Sequence, residues 1–467
     1  METLKKRYGL ITAICMVVGI VIGSGVFFKA QNVLEKTGGN ALDGILAWVI
    51  GGSIMVVLSA TFAIMATKYE KVNGVVDYAE AMCGKTYAYY LGWFLSIIYY
   101  PAMTSVLSWV SARYTLVAVL GIPANSEKAL FGPECIAIAI FYLIAAYFMN
   151  VISPKLAGKF QVSTTVIKLI PLIGIALVGT AIGLFNGTIN ANFSLADSFV
   201  TSGTTSGGTG IFPAVCSTVF AYEGWIIATA INSEIKDAKK NLPLALFFGS
   251  LIIVAIYVFF YLGVLGLSDT DTLMKEGTTA AFKTFGTVGA AIINFLVVIS
   301  CLGTLNGLML GCTRGFYSLA VRREGFAPKV YSQVDKETNM PHNSAAIALL
   351  ACAVWLLYFL ASQFFGWFGE YGFDSSELPI VTVYPLYIPI LISFMIKERG
   401  LHPFKRFVLP ILSIVGCAVT VVASILSHKM ANVWYLIVFI VAIALGALVL
   451  YLGKGKGKEV SAQPESE

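Results

Sequence analysis

Two short stretches place polar chemistry where a continuous apolar helix would be safest. Gly23, Ser24 and Gly25 interrupt the first hydrophobic segment, "VVGIVIGSGVFF", and Glu223-Gly224 interrupts a later one, "GIFPAVCSTVFAYEGWIIATAINSEI". Two mid-helix glycines cost about 2 kcal/mol of helix propensity relative to alanine. A close-packing face also uses small residues. Paired interruptions at matching places in two halves of a chain favour broken helices around a binding site. A break in hydrocarbon frees backbone N–H and C=O groups, which must find partners or line a polar cavity. With a second helix starting near Val26, the N–H groups of Gly23, Ser24 and Gly25 face the gap at a positive helix end, which suits a carboxylate. The helix halves that end at the breaks offer free carbonyls, which suit an ammonium. A ligand carrying both groups on one carbon, an α-amino acid, satisfies both breaks.

Lys168, inside "VSTTVIKLIPLIGIAL", is the third such residue. An ionised lysine at mid-membrane costs a few kcal/mol and is a functional-site hypothesis by default. The alternative is snorkelling to an edge about 12 Å away. Read as a fixed cation, Lys168 bonds the loosened carbonyls of the first segment, with Thr304 and Asn306 as candidate partners. A neutral, proton-exchanging Lys168 is the competing version. Glu223 stays open among four roles: pairing Lys168, receiving a basic side chain, carrying a proton, or bonding local backbone N–H groups.

The elements that must position these residues follow from composition. Of 467 residues, 58% are hydrophobic and 12% charged. A soluble protein carries about twice that charge. Apolar runs of membrane-crossing length recur along the chain. Twelve are expected, centred near Gly23, Met55, Tyr100, Ala139, Pro171, Tyr222, Ile256, Gly303, Ala351, Leu386, Gly416 and Ile443. The runs are too long and too uniformly apolar for barrel strands. The first, with its basic start "LKKR", is expected to remain as a span and not to be cleaved. Most of the 31 basic residues fall in segments that would be cytoplasmic if both termini are inside. The net charge of +6 therefore reports topology, and no nucleic-acid partner is implied.

The eight cysteines are scattered through apolar runs and the three histidines are isolated, so no metal or cofactor is expected. No nucleophile–base pair or phosphate loop supports an enzyme, and no repeated pore loop supports a channel. The membrane domain is expected over residues 1–455, and the polar tail 456–467 is expected to be disordered. A Gly/Ser/Thr-rich loop precedes the sixth segment, and Glu234 and Asp237 follow it in a lysine-rich loop.

"IGSGVFF", "FAYEGW", "SEIKDAKKNLPLA" and "LGTLNGLMLGCTRGFYSLAVRREGFAP" resemble the amino acid–polyamine–organocation superfamily, and within it the L-type amino acid transporter group with its bacterial serine/threonine exchanger relatives. The resemblance covers about residues 8 to 450. It implies an all-α polytopic membrane protein with twelve spans in the LeuT-like fold. Two inverted five-helix repeats, about 8–185 and 208–398, would precede two further helices at about 403–453. It implies that the substrate carboxylate meets Gly23, Ser24 and Gly25. The amine would meet the carbonyls of Val21, Phe220 and Glu223, with Phe220 as a gate. Lys168 would stand where sodium-coupled relatives bind their second sodium. The implied function is sodium-independent exchange of small neutral L-amino acids by alternating access, without a cofactor. A proton-coupled or cationic amino acid permease is the alternative.

Two departures matter. Animal L-type transporters carry a cysteine in the outer loop after span three for linkage to a partner. Here that loop, "GIPANSEKALFG", has none and Cys135 comes later. No disulfide-linked heavy-chain subunit is expected, and the localisation implied is a bacterial inner (plasma) membrane. Second, span ten carries Glu370, Asp374 and Glu377 on its outer side, with Pro379, Pro385 and Pro389 beyond. No substrate contact is carried over there.

Overall fold

The computed structural model describes residues 8–69, 74–124, 126–194, 210–227, 229 and 235–460. Most of the Gly/Ser/Thr-rich loop, Glu234 and residues 461–467 lie outside the described residues. The elements are helices: α1 (Leu10–Val21), α2 (Gly25–Lys36), α3 (Ala41–Lys68), α4 (Lys85–Leu120), α5 (Glu127–Ile152), α6 (Pro154–Phe185) and α7 (Ile211–Ala221). They continue with α8 (Ala238–Leu267), α9 (Thr278–Val321), α10 (His342–Gln363), α11 (Leu378–Lys397), α12 (Phe404–His428) and α13 (Ala431–Val460). Ten are long and apolar enough to cross a membrane, and the pair α1–α2, bent by 41°, makes an eleventh. Each of these contains one of the expected centres. The remaining centre, Tyr222, falls in the shorter apolar stretch Ile211–Ile227. α13 runs on to Val460, into the stretch expected to be disordered.

The polar residues within these helices are met by specific partners. Pro101 has no N–H to give and its ring crowds the carbonyl four residues back. The chain answers with a π turn over Leu95–Tyr99 inside α4. The freed Ile97 carbonyl accepts the indole N–H of Trp355, on α10, at 2.8 Å. Small residues set a close crossing between α6 and α8. A Cβ on Gly263 would strike the Ile175 carbonyl, and one on Gly266 would strike the Gly179 carbonyl. Such approach gains dispersion that lipid-facing side chains cannot supply.

Charges gather at the two ends of the bundle. At one end Arg322 bridges Asp77 and, at 3.1 Å, Glu80, while Glu398 takes Lys68 and, at 2.7 Å, the Tyr69 hydroxyl. At the other end Lys29, Lys36 and His428 converge on Glu377. Glu377 does not crowd an outer surface with the other acids of its segment. It is 3% exposed, folded inward at the head of α11. Pro385 and Pro389 lie inside that helix.

Removing the indole donor should expose the weak point at Pro101. Trp355→Phe keeps the ring and leaves the Ile97 carbonyl unpaired at a cost of about 1–3 kcal/mol. Thermal unfolding of the purified protein in detergent should show a Tm lower by several degrees. An unchanged Tm would mean that the carbonyl finds another donor.

Candidate functional site

α1 stops at Val21 and α2 starts at Gly25, so the last carbonyls of α1 have no helical partners. They are met from three other helices. The Lys168 ammonium, from α6, donates to the Gly19 carbonyl at 2.7 Å and to the Ile22 carbonyl. The Thr304 hydroxyl, on α9, lies 3.1 Å from the Ile22 carbonyl and 3.4 Å from Lys168 Nζ. The Tyr257 hydroxyl, on α8, sits 3.0 Å from the Val21 carbonyl and 3.2 Å from the Ala221 carbonyl, bridging the ends of α1 and α7. Lys168 is fully buried and spends its charge on the break, so it does not snorkel to an edge.

The second break follows Ala221. Tyr222, Glu223 and Gly224 turn the chain, with Gly224 at φ +106°, a conformation open to glycine. Here the two broken spans touch: a Cβ on Gly25 would come within 2.7 Å of the Ala221 Cα. A Cβ on Gly23 would lie 2.5 Å from Thr304 Oγ1. The glycines therefore serve close packing and the break together.

Between the breaks lies a small cavity of about 20 Å³, room for about one water, lined by Val21, Gly23, Ser24, Gly25, Phe220, Glu223 and Thr304 together with Tyr99, Met103, Leu107 and Leu308. At one pole the Ser24 hydroxyl, 1% exposed, has no hydrogen-bond partner among the described residues. It stands at the head of α2, where backbone N–H groups converge. The Glu223 carboxylate accepts the Tyr99 hydroxyl at 2.5 Å and the Tyr384 hydroxyl at 3.1 Å. Tyr99 comes from the π turn of α4 and Tyr384 from α11, so this acid ties the second break to two other helices. Phe220 closes the cavity toward Lys29, whose ammonium lies 4.5 Å from the ring centroid.

The residues expected at the site thus come together, with two exceptions. Glu223 and Lys168 have different partners and form no pair. Asn306 is not beside Lys168. It accepts Asn150 Nδ2 at 2.9 Å and donates to Gln161 Oε1 at 3.1 Å and to the Ala157 carbonyl at 3.2 Å. Two positions along the helix, about 200° of rotation, carry Thr304 and Asn306 to different faces of α9, a direction that spacing alone would have shown. Tyr257, Tyr384 and Lys29 were not foreseen as contributors. A tyrosine in an apolar run has no pattern that separates a carbonyl-bridging hydroxyl from packing.

Chemically the cavity offers donors at one pole, acceptors at the other and apolar walls between them. Its geometry depends on the contact at Gly25. Gly25→Ala should lower the Tm by an amount matching about 1–3 kcal/mol of overpacking. Gly174→Ala, where a Cβ meets nothing within 4 Å, should leave it unchanged or slightly higher. Equal effects in thermal unfolding would count against the tight crossing.

Comparison with known proteins agrees with this geometry. The sequence matches the family model described as amino acid permease over residues 8–449. It is 29% identical to the serine/threonine exchanger SteT of Bacillus subtilis (strain 168), covering 97% of this chain and 98% of that protein. It is 25% identical to the mouse Asc-type amino acid transporter 1, over 96% of this chain and 81% of that protein. It is 27% identical to the human large neutral amino acids transporter small subunit 2, over 81% and 69%. A helical bundle with ten or more membrane-crossing segments, a cavity between two broken helices and this match over nearly the whole length lead to one conclusion: the chain belongs to the amino acid permease family of the amino acid–polyamine–organocation superfamily, and it is a multi-pass membrane transporter of amino acids, not an enzyme.

Proposed function

We propose that this protein is a sodium-independent exchanger of small neutral L-amino acids, working by alternating access and without a heavy-chain partner. The observation that carries the reading is the unpartnered Ser24 hydroxyl at the head of α2, buried in a cavity that the end of α7 closes. A substrate carboxylate meets Ser24 and the N–H groups of Gly23 and Gly25. The ammonium meets the carbonyl pole formed by Val21, Phe220 and Glu223. The similarity to a serine/threonine exchanger supports exchange of small substrates, while the large neutral amino acids transporter supports neutral amino acids without favouring small ones.

Sodium independence is supported by Lys168. Its ammonium already occupies the carbonyls of Gly19 and Ile22, where a bound cation would otherwise be needed. The architecture proposed is twelve spans, with α1–α2 and the stretch from Ile211 as the first members of two inverted five-helix repeats. Both termini are cytoplasmic by the distribution of basic residues, which makes the Glu377 end outer and the Arg322 end inner. α1, α2, α3, α7 and α8 move against α4, α5, α9 and α10. In the arrangement described, Lys29–Glu377 and Phe220 close the outer side, and Glu223 with its two tyrosines closes the inner side.

A second reading has its own observation. The side-chain partners of the Glu223 carboxylate among the described residues are two tyrosine hydroxyls, without a cation. A buried carboxylate of that kind suits proton coupling or a cationic substrate.

Uptake of labelled serine into sodium-free proteoliposomes, with and without internal serine, tests the main reading. Uptake should rise at least tenfold with internal serine and be indifferent to sodium; equal uptake into empty vesicles would sink exchange. Ser24→Ala should raise the half-saturating serine concentration about tenfold, the loss of one hydrogen bond to a charged group. Glu223→Gln should leave neutral exchange within about threefold, under 1 kcal/mol. If that variant instead abolishes a pH-driven net uptake or competition by lysine, the second reading replaces the first.

A further inference from the structure

The Glu377 cluster holds a feature that the transport reading does not use. Three atoms of different chemistry face one another: Cys216 Sγ on α7, a Glu377 oxygen at the head of α11 and His428 Nε2 at the end of α12. His428 Nε2 is 2.8 Å from Glu377 Oε2, Cys216 Sγ is 3.6 Å from the same oxygen, and Sγ and Nε2 are 3.9 Å apart. A point equidistant from the three lies about 2 Å from each, within the range of zinc–nitrogen and zinc–oxygen bonds and a few tenths short of zinc–sulfur. Raising that point slightly out of the plane brings the sulfur into range and leaves a fourth, tetrahedral position for water. We infer that Cys216, Glu377 and His428 form a site for a borderline-soft divalent cation, Zn²⁺ or Cd²⁺, which staples α7 to α11 and α12. Sequence gave no hint of it, because the three residues are separated by 161 and 51 positions.

The charges around the site decide how it works. Lys29 bonds Glu377 Oε1, the oxygen that faces away from Cys216 and His428, and leaves Oε2 for the metal. Lys36 is the competitor. Its ammonium lies 3.7 Å from Oε2 and also donates to the hydroxyls of Ser217 at 2.8 Å and Ser427 at 3.0 Å. Its side chain is 23% exposed, so it can swing outward when a dication arrives. Cys216 binds as the thiolate, and its proton leaves to solvent as the sulfur–metal bond forms. Cys216 and Glu377 are buried, and the His428 side, where the imidazole is 13% exposed, is the way in. The soft sulfur selects Zn²⁺ and Cd²⁺ over Mg²⁺ or Ca²⁺.

The staple has a functional consequence, which rests on the alternating-access reading. α7 is the outer half of the broken sixth segment and must part from α11 for the outer side to open. A metal across them holds the carrier closed.

Cobalt is the direct probe, because a thiolate ligand gives Co²⁺ an intense near-ultraviolet charge-transfer band. The purified full-length protein should show this band, and Zn²⁺ should quench it. Cys216→Ser should lack it, and His428→Gln should weaken Co²⁺ binding at least tenfold. Lys36→Gln should tighten binding severalfold, a gain that misfolding cannot imitate. No band in the natural protein, or a band unchanged in Cys216→Ser, overturns the site whatever the substrate proves to be. In proteoliposomes, micromolar external Zn²⁺ should inhibit serine exchange, and Cys216→Ser should exchange normally and be insensitive. Cobalt binding without zinc inhibition would keep the site and overturn the staple; equal inhibition of both proteins would place the inhibitory metal elsewhere and likewise overturn it.

Discussion

The rest of the structure depends on one interaction: the ammonium of Lys168 on the carbonyls that end α1. A membrane helix normally settles its own backbone, and an interruption at mid-bilayer leaves polar groups that hydrocarbon cannot satisfy. A lysine at the same depth is costly for the opposite reason, since it has charge and no water. Each removes the other's liability. Thr304 and Tyr257 complete the arrangement from α9 and α8, so three helices that never break hold the one that does. The break then becomes a fixed feature, and the free head of α2 can face a cavity without unravelling the bundle.

The same logic extends to the acids. Glu223 and Glu377 are both nearly fully buried, yet their surroundings differ. Glu377 collects two lysine ammonium groups from α2 and the His428 imidazole from α12 and acts as a charged knot. Glu223 collects neutral hydroxyls from α4 and α11. Breaking a buried ion pair by removing one partner costs about 3–5 kcal/mol, whereas hydroxyl–carboxylate bonds exchange partners at lower cost. In the alternating-access reading proposed above, both acids bridge elements that separate for the cavity to open on one side or the other. The charged knot makes one opening depend on hydration of several charges, and the tyrosine pair makes the other depend on two hydrogen bonds.

Much of this was legible in the sequence, because it is written locally. Gly23-Ser24-Gly25, Glu223-Gly224 and Lys168 announce themselves as polar or flexible residues inside apolar runs, and their roles at the breaks follow from bilayer physics. The apolar runs themselves fix where the helices lie. What was not legible is pairing across long separations. Lys29 reads as one more basic residue near a helix end, and Glu377 as one of three acids in a crowded segment. Nothing in either neighbourhood states that they meet across 348 positions. The misplacement of Asn306 has a different source. Two polar residues two apart in a helix point in directions about 200° apart, so they could not both serve Lys168. That error was avoidable from helical geometry.

A permanently bound cation also bears on why such a carrier should exchange. In a sodium-coupled design the ion arrives and leaves, so its binding energy can drive the return of the unloaded carrier. In the exchanger proposed above, the amine is covalently part of α6 and stays at the break, so substrate is the remaining variable that can compensate the breaks. Without substrate, the Ser24 hydroxyl, which has no partner among the described residues, and the N–H groups that a helix start leaves free would pass through an occluded form unpaired. At about 1–3 kcal/mol for each buried unpartnered group, three of them raise that barrier by about 5 kcal/mol. Such a barrier slows the unloaded return by roughly three to four orders of magnitude. Exchange would then need no separate coupling device. It would follow from a broken helix whose Gly19 and Ile22 carbonyls are satisfied by Lys168 and whose N–H end is satisfied by the cargo.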